Sequence, residues 1–283
     1  MVVGLQNNMR LSKIYPKRNL WSHKGQFGYV LIVAGSNRYT GSPIFNAVAA
    51  LRTGADLITI IAPQRAADVA AHFLPDLITI PLNGELTKKY LPLVLKTSKN
   101  FDALIIGGGL NRSEKTYTAI RAIIQTINLP MVIDAEAIRA LAQNPKIIQN
   151  KKVIITPHKE EFRILTGEIV KDELGDRKKK VKKWAKQLGA VILLKGHFDV
   201  ISDGQKVIMN QTGSPYLTKG GLGDTLAGIC GALLARKINP LQAATIAAFI
   251  NGKAGEQIAK KYGEGILTSD LFKIFPEIIK KFS

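Results

Sequence analysis

Residues 29–62 read YVLIVAGSNRYTGSPIFNAVAALRTGADLITIIA. Two unbroken apolar runs, Tyr29 to Ala34 and Leu57 to Ala62, bracket a glycine-bearing loop and a helix-type segment, Ile44 to Thr53. Continuous Val, Ile and Leu runs mark strands covered on both faces, and a helix between two such strands makes them parallel. The same alternation continues outward. Strands are expected at Asp76 to Ile80, Ala103 to Ile106, Met131 to Asp134, Val153 to Thr156 and Val191 to Lys195, separated by helices at Arg65 to His72, Glu114 to Ile127, Ala135 to Gln143, Glu160 to Leu165 and Glu173 to Leu188. Past Lys195, Val200 to Ser202 and Val207 to Asn210 flank Asp203 and Gly204 as a hairpin. Helices are expected from there on, at Asp224 to Arg236, Leu241 to Lys261 and Leu267 to Lys280. The pattern predicts a single three-layer α/β/α domain over residues 1–283, with a mostly parallel central sheet and an N-terminal arm up to about Gly25.

With 283 residues and 46% of them apolar, the chain can bury a large core, which excludes disorder for its bulk. Its longest apolar run, Thr225 to Ala235, is too short to cross a bilayer, and Met1 to Arg10 lacks the apolar core of a secretion signal, so a soluble cytoplasmic protein with no membrane partner is expected. A lone Cys230 excludes disulfide scaffolds and Cys-rich zinc sites. The net charge of +19 raises a nucleic-acid reading. Much of the excess lies in one helix, where Arg177, Lys178, Lys179, Lys180, Lys182, Lys183 and Lys186 read as a solvated face opposite Val181, Trp184 and Leu188. Its positive field favours anionic small ligands.

Ligands of open parallel sheets bind beyond the carboxyl ends of the strands. The loops there are Gly35 to Pro43, Gly107 to Asn111, Asp134 with Glu136, Thr156 to Glu161, Lys195 with Gly196, and Thr218 to Asp224. A Walker loop is absent, because Gly35 to Ser42 carries no lysine before its last residue. The dinucleotide fingerprint fails too, with Arg112 and Leu226 where a third glycine belongs. Gly220 to Asp224 still has the makings of an anion site, since glycines admit a ligand to the backbone and the following helix offers free N–H groups. Asp224 can accept the proton of a hydroxyl attacking a bound phosphate, or it can simply cap the helix.

Lys195 and Gly196, leaving a strand, can meet nucleotide phosphate and sugar, or they are a solvated strand end. His158 and Glu161 can face the same crevice, the glutamate reaching Mg²⁺ through water, or the acidic pair Glu160 and Glu161 merely favours the first turn of a helix. His23, His72 and His197 show no metal-ligand spacing.

In their joint order these segments resemble the ribokinase-like superfamily, and within it the ADP- or ATP-dependent NAD(P)H-hydrate dehydratases. The resemblance runs from His23 and Lys24 to Ser269 and Asp270. It rests on His23-Lys24-Gly25 before Gly28, Val33 to Pro43, Val132 to Ala135, Ile155 to Thr166, Leu193 to Gly196 and Thr212 to Gly231. It implies a repair enzyme that removes water from the S epimer of hydrated NADH or NADPH while cleaving ADP or ATP. Asp224 matches the catalytic aspartate of that family. Gly221 and Gly223 match its anion hole, and Lys195, Gly196, His197, Phe198 and Asp199 match the nucleotide segment. Ser42, Gly109 and His158, with Asp224, match positions that contact the hydrated nicotinamide nucleotide. Mg²⁺, a homo-oligomer of the tetrameric kind, and epimerisation by a separate protein are further implications.

The chain departs from the family pattern at several points. Leu222 stands where a Thr or Ser is usual, Ser42 replaces an alanine, Lys159 and Glu160 replace a Pro-Gly pair, and Asn111 replaces a glycine. Two other readings use the same residues. A kinase of a vitamin-precursor alcohol would share the aspartate and the anion hole, although His23-Lys24-Gly25 and Gly35 to Pro43 favour the dehydratase. A basic nucleic-acid-binding protein on a degenerate kinase fold would lack aromatic platforms, since the helix pattern buries Trp184.

Overall fold

The computed structural model describes residues 3–4 and 11–283. In chain order the first half of the elements comprises β1 (Val3–Gly4), β2 (Tyr29–Val33), α1 (Ser42–Arg52), β3 (Leu57–Pro63), α2 (Gln64–Phe73), β4 (Ile78–Leu82), α3 (Leu91–Ser98), β5 (Ala103–Ile106), α4 (Glu114–Thr126) and β6 (Met131–Ile133). The second half comprises α5 (Glu136–Ala142), β7 (Val153–Ile155), α6 (Lys159–Thr166), α7 (Leu174–Leu188), β8 (Val191–Leu194), β9 (Asp199–Ser202), β10 (Val207–Asn210), α8 (Leu222–Ala235), α9 (Pro240–Tyr262) and α10 (Leu271–Phe282).

All the strands join one ten-stranded sheet in the order β1-β10-β9-β8-β7-β6-β5-β2-β3-β4. From β8 to β4 every pairing is parallel, while β9 runs antiparallel to both its neighbours. The sheet is buried on both faces, as its unbroken apolar strands require. Val30 and Ile32 enter a core shared with α1, α2, α8, α9 and α10, whereas Leu31 and Val33 enter a second core beneath α3 to α7, and all four strand residues are 0% exposed. This is the expected three-layer α/β/α architecture with its mostly parallel sheet and the β9–β10 hairpin past Lys195.

Several expectations need correction. No helix was expected at α3, whose short Leu-Pro-Leu-Val-Leu start carries no capping side chain. The edge strand β4 begins at Ile78, two residues later than Asp76, because it is half exposed and lacks a strict pattern. A 3-10 turn over Thr268–Asp270, closed by the Asp270 carboxylate on the Leu267 N–H at 2.8 Å, delays α10 to Leu271.

From Leu11 the N-terminal arm is docked. Leu11 and Ile14 are buried, the Tyr15 hydroxyl donates to the Thr53 carbonyl at 3.1 Å, and Arg236 Nη2 donates to the Ile14 carbonyl at 2.9 Å. The remainder of that arm, residues 1–2 and 5–10, lies outside the described residues. The His23-Lys24-Gly25 block sits before β2, at the amino end of the sheet. There Asp56 Oδ2 accepts the N–H groups of Gly25 and Phe27 at 2.8 and 2.9 Å. It contributes to the base of the fold, at the end of the sheet away from the crevice.

Candidate active site

The chain leaves β2 toward β3 and β4 on one side, and later fills β5 to β8 on the other, so the strand order reverses between β2 and β5. Ligand crevices of open sheets form at such a reversal. The two loops there are fastened together, with Gly35 N–H donating to the Gly108 carbonyl at 2.8 Å and Gly107 N–H to the Val33 carbonyl at 3.2 Å. Over this seam α8 begins. Its cap position is Gly221, and Asp224 makes no capping bond to its own helix. The capping alternative for Asp224 is therefore not what the fold uses.

The Asp224 carboxylate turns instead to α1. Its Oδ1 accepts the Ser42 hydroxyl at 2.5 Å and Asn46 Nδ2 at 3.1 Å. The Asn46 amide also donates to the Ser42 carbonyl at 2.8 Å. Gly108 completes the contact. A Cβ at that position would fall 2.3 Å from Asp224 Oδ1 and 2.9 Å from Ser42 Oγ, so the approach of loop, serine and acid needs a residue without a side chain. Gly109 packs next to it on Ser42 and Tyr39. Burial, and then the neighbouring Asp134 carboxylate, push the Asp224 pKa up to about 7 against the lowering pull of Ser42, Lys195 and Asn46.

A second cluster adjoins the first. Asp134, just past β6, accepts the Thr156 hydroxyl at 2.7 Å and Lys195 Nζ at 3.1 Å, and the same ammonium lies 3.7 Å from Glu161 Oε2. Burial alone would lower the Lys195 pKa, but Asp134 and Glu161 outweigh it and hold the pKa above its ordinary value. Burial raises the Glu161 carboxyl as well. One ammonium thus serves Asp134, Glu161 and, more distantly, Asp224. Shared in this way, the ammonium offsets only part of the rise that burial, first, and Asp134, second, impose on Asp224.

His158 is the N-cap of α6. Its Nδ1 accepts the N–H groups of Glu160 and Glu161 at 3.1 and 3.3 Å, and Glu161 Oε2 accepts the His158 N–H at 2.8 Å. An accepting Nδ1 assigns the proton to Nε2, which faces Glu161 Oε1 at 3.3 Å. The first-turn position read for this acidic pair is therefore present, with histidine as the unexpected cap. The His158 side chain is still 51% exposed.

Beside these clusters a cleft of about 510 Å³ opens between the loop after β8, the segment leading into α8, and α9. Among the expected nucleotide residues, Lys195, Gly196, His197, Asp199 and Gly223 line it, together with Thr212 and Asn251, while Phe198 and Gly221 do not. The Phe198 ring leans on His197 at 4.3 Å between centroids with the planes tilted by 58°, and Gly221 packs on Phe45. A Cβ on Gly223 would lie 3.2 Å from Lys195 Nζ, so these two residues form the boundary between the cleft and the acid cluster.

Asp199 has its oxygens engaged, accepting Gly196 N–H at 3.1 Å and Asn210 Nδ2 at 3.0 Å, which ties the loop to the hairpin. Burial raises its carboxyl pKa. Arg177 holds the same loop from beneath, with Nη2 donating to the carbonyls of Lys195 and Phe198 at 3.1 and 3.3 Å. This corrects the solvated-face expectation for Arg177, which is only 5% exposed. It lies four residues before Val181, on the inward side of α7.

Sequence reasoning placed Asp134 and Thr156 in crevice loops without a role, put Arg177 on a solvated face and singled out nothing at Asn46. Asp134 was visible as a strand-end acid, but its ion pair with Lys195 depends on β6 and β8 flanking β7.

A family model described as NAD(P)H-hydrate dehydratase matches residues 30–277. The chain is 42% identical over 265 residues to the bifunctional NAD(P)H-hydrate repair enzyme Nnr of Pyrobaculum aerophilum, covering 93% of this chain but 52% of that relative. It therefore spans about half the length of that relative. It is 37% identical over 272 residues to the ADP-dependent (S)-NAD(P)H-hydrate dehydratase of Cenarchaeum symbiosum, with 95% of this chain and 94% of the relative covered. The crystal structure of the ADP/ATP-dependent NAD(P)H-hydrate dehydratase of Bacillus subtilis, co-crystallised with ATP/Mg²⁺, superposes with a TM-score of 0.79 at 29% identity over 95% of this chain and 94% of that one.

Proposed function

The chain belongs to the NAD(P)H-hydrate dehydratase family, and from that premise we propose that it returns the S epimer of hydrated NADH or NADPH to NAD(P)H at the expense of ADP or ATP. In this reading Asp224 is the base. It takes the proton of the hydroxyl that hydration left on the nicotinamide ring while that oxygen attacks the terminal phosphorus of the nucleotide. The bond to the next phosphate breaks, and AMP or ADP departs. The ring then expels the phosphate with its oxygen, the electrons of the neighbouring C–H bond restore the ring double bond, and the proton passes to solvent. The products are NAD(P)H, inorganic phosphate and the shortened nucleotide.

Gly221 to Gly223, at the positive end of α8, offer backbone N–H groups to the phosphoryl group in transit. Lys195, Gly196, His197 and Asp199 form the nucleotide side, with Phe198 off the cleft wall behind His197, and Ser42, Gly109 and His158 form the side of the hydrated ring. A single observation carries this reading. A half-buried carboxyl, raised to about pKa 7 by desolvation and by Asp134, stands in the first turn of a glycine-led helix beside a cleft of about 510 Å³.

Magnesium is the expected companion of the nucleotide. Glu161, the residue expected to meet it, is engaged with His158 and Lys195, and no three His, Cys, Asp or Glu side chains converge to hold a metal among the described residues. The donor set does not fit a protein-held Mg²⁺. The same reading takes the protein as a cytoplasmic homo-oligomer. Among the described residues no helix is long and apolar enough to cross a membrane.

Incubating the protein with hydrated NADH, Mg²⁺ and either ADP or ATP is expected to restore the absorbance of the reduced nicotinamide, with one phosphate released per ring repaired. Phosphorylation of a vitamin-precursor alcohol without any such recovery would establish the kinase instead. Salt-sensitive nucleic-acid binding without turnover would favour the third reading.

A further inference from the structure

The two oxygens of Asp224 are in unlike surroundings. Oδ1 accepts both Ser42 Oγ at 2.5 Å and Asn46 Nδ2 at 3.1 Å, and it faces Gly108. Oδ2 has no hydrogen-bond partner among the described residues and is not one of the buried polar atoms sealed off without one. The orientation of Asn46 supports this division of labour. Its Nδ2 is shared between the Ser42 carbonyl and Asp224, while its own Oδ1 is buried with no partner at all. The amide is thus turned to supply a donor to the acid, at the cost of leaving its acceptor unmatched.

We propose that Ser42 is a positioning residue for Asp224: with Asn46 it commits Oδ1 as a fixed acceptor, leaves Oδ2 as the oxygen that takes the substrate proton, and sets the pH above which that oxygen is free to do so. The inference rests on Asp224 acting as the base. The groups facing this carboxylate are Ser42 and Asn46 from α1, Asp134 from the end of β6 and Lys195 from the end of β8, with Glu161 of α6 behind Lys195. Asp134 opposes ionisation, whereas Ser42, Asn46 and Lys195 favour it. Of the favouring groups, Ser42 can lose its donor with the least change in volume. A hydrogen bond to the charged form favours that form, so deleting the hydroxyl must make Asp224 a weaker acid.

The experiment compares pH profiles of kcat for the unchanged protein, Ser42→Ala and Ser42→Thr, with hydrated NADH and ADP in the presence of Mg²⁺. In parallel, the carboxyl carbons of ¹³C-labelled aspartate are titrated by NMR, with Asp224→Asn identifying the signal. The acid limb is expected to move upward by about one pH unit in Ser42→Ala, a tenfold change in proton affinity, and to return in Ser42→Thr, whatever the loss of a substrate contact does to the height of the plateau. The Asp224 carbon should titrate later by the same amount.

An acid limb and a carbon midpoint that stay in place in Ser42→Ala would overturn the proposal, even if turnover falls at every pH, because Ser42 would then serve only to place the substrate. Should the unchanged protein fail to repair hydrated NADH, the functional reading falls by itself, and the carbon titration still decides whether Ser42 governs the acid.

Discussion

Asp224 is held in a state that favours its proton, and this links the site to the stability of the whole chain. Its folded pKa of about 7 lies above the ordinary 3.8, so the native state binds a proton more tightly than the unfolded chain does. The resulting stabilisation is complete below the unfolded value and is lost as pH rises through about 7. Asp224→Asn removes the ionisable group and keeps the shape. That variant is expected to abolish repair while retaining nucleotide, and to be more stable than the parent at pH 8 by on the order of a few kcal/mol, an excess that vanishes near pH 4. Thermal melts at the two pH values, together with calorimetric nucleotide titration, check both halves. Equal stability of the two proteins at pH 8 would contradict the raised pKa.

Among the elements, the pairing of α1 with α8 decides whether Ser42 and Asn46 reach the acid. Gly228 lies where the two helices touch, and a Cβ there would meet the Asn46 carbonyl at 2.3 Å and Ala49 Cβ at 3.0 Å. Gly228→Ala must therefore push α1 away. A loss of about 1–3 kcal/mol in stability is expected from the overpacking, with a disproportionate loss of kcat because the donors to Asp224 move with α1. Denaturant unfolding and steady-state kinetics measure the two, and a fall in stability with kcat unchanged would show that the helix contact does not govern the acid.

At this scale the legibility of the chain is uneven. Strands such as β2 and β3 were readable because both faces are buried and every position must be apolar. The short α3 was not readable, and Arg177 was misplaced because its charge outweighed a periodicity that puts it in line with Val181 and Leu188. Lys195, Gly223 and Asp224 could be singled out as strand-end or helix-start residues. Ser42 on Asp224, 182 residues apart, could not be seen without the crossing of α1 and α8.

Over the whole molecule, the charge of +19 surrounds a site that is itself locally acidic, with Asp134, Glu161 and Asp224 sharing Lys195. The long-range field attracts anionic ligands while the inner carboxylates repel them, and added salt weakens the first far more than the second. The KM for ADP or ATP is therefore expected to rise several-fold between about 0.02 and 0.3 M monovalent salt, with kcat nearly constant. Initial rates over that range test it, and a kcat that falls while KM stays flat would place the salt effect inside the site.

The distance along the chain between the acid and its donors also matters while the protein is being made. Ser42 and Asn46 leave the ribosome 182 and 178 residues ahead of Asp224, and the helix that carries the acid is followed by α9, which supplies Asn251 to the cleft wall. A chain that has not yet reached α9 carries Ser42 and Asn46 but lacks one wall of the cleft. The site is therefore complete only once both ends of this 182-residue span, and α9 beyond it, have come together.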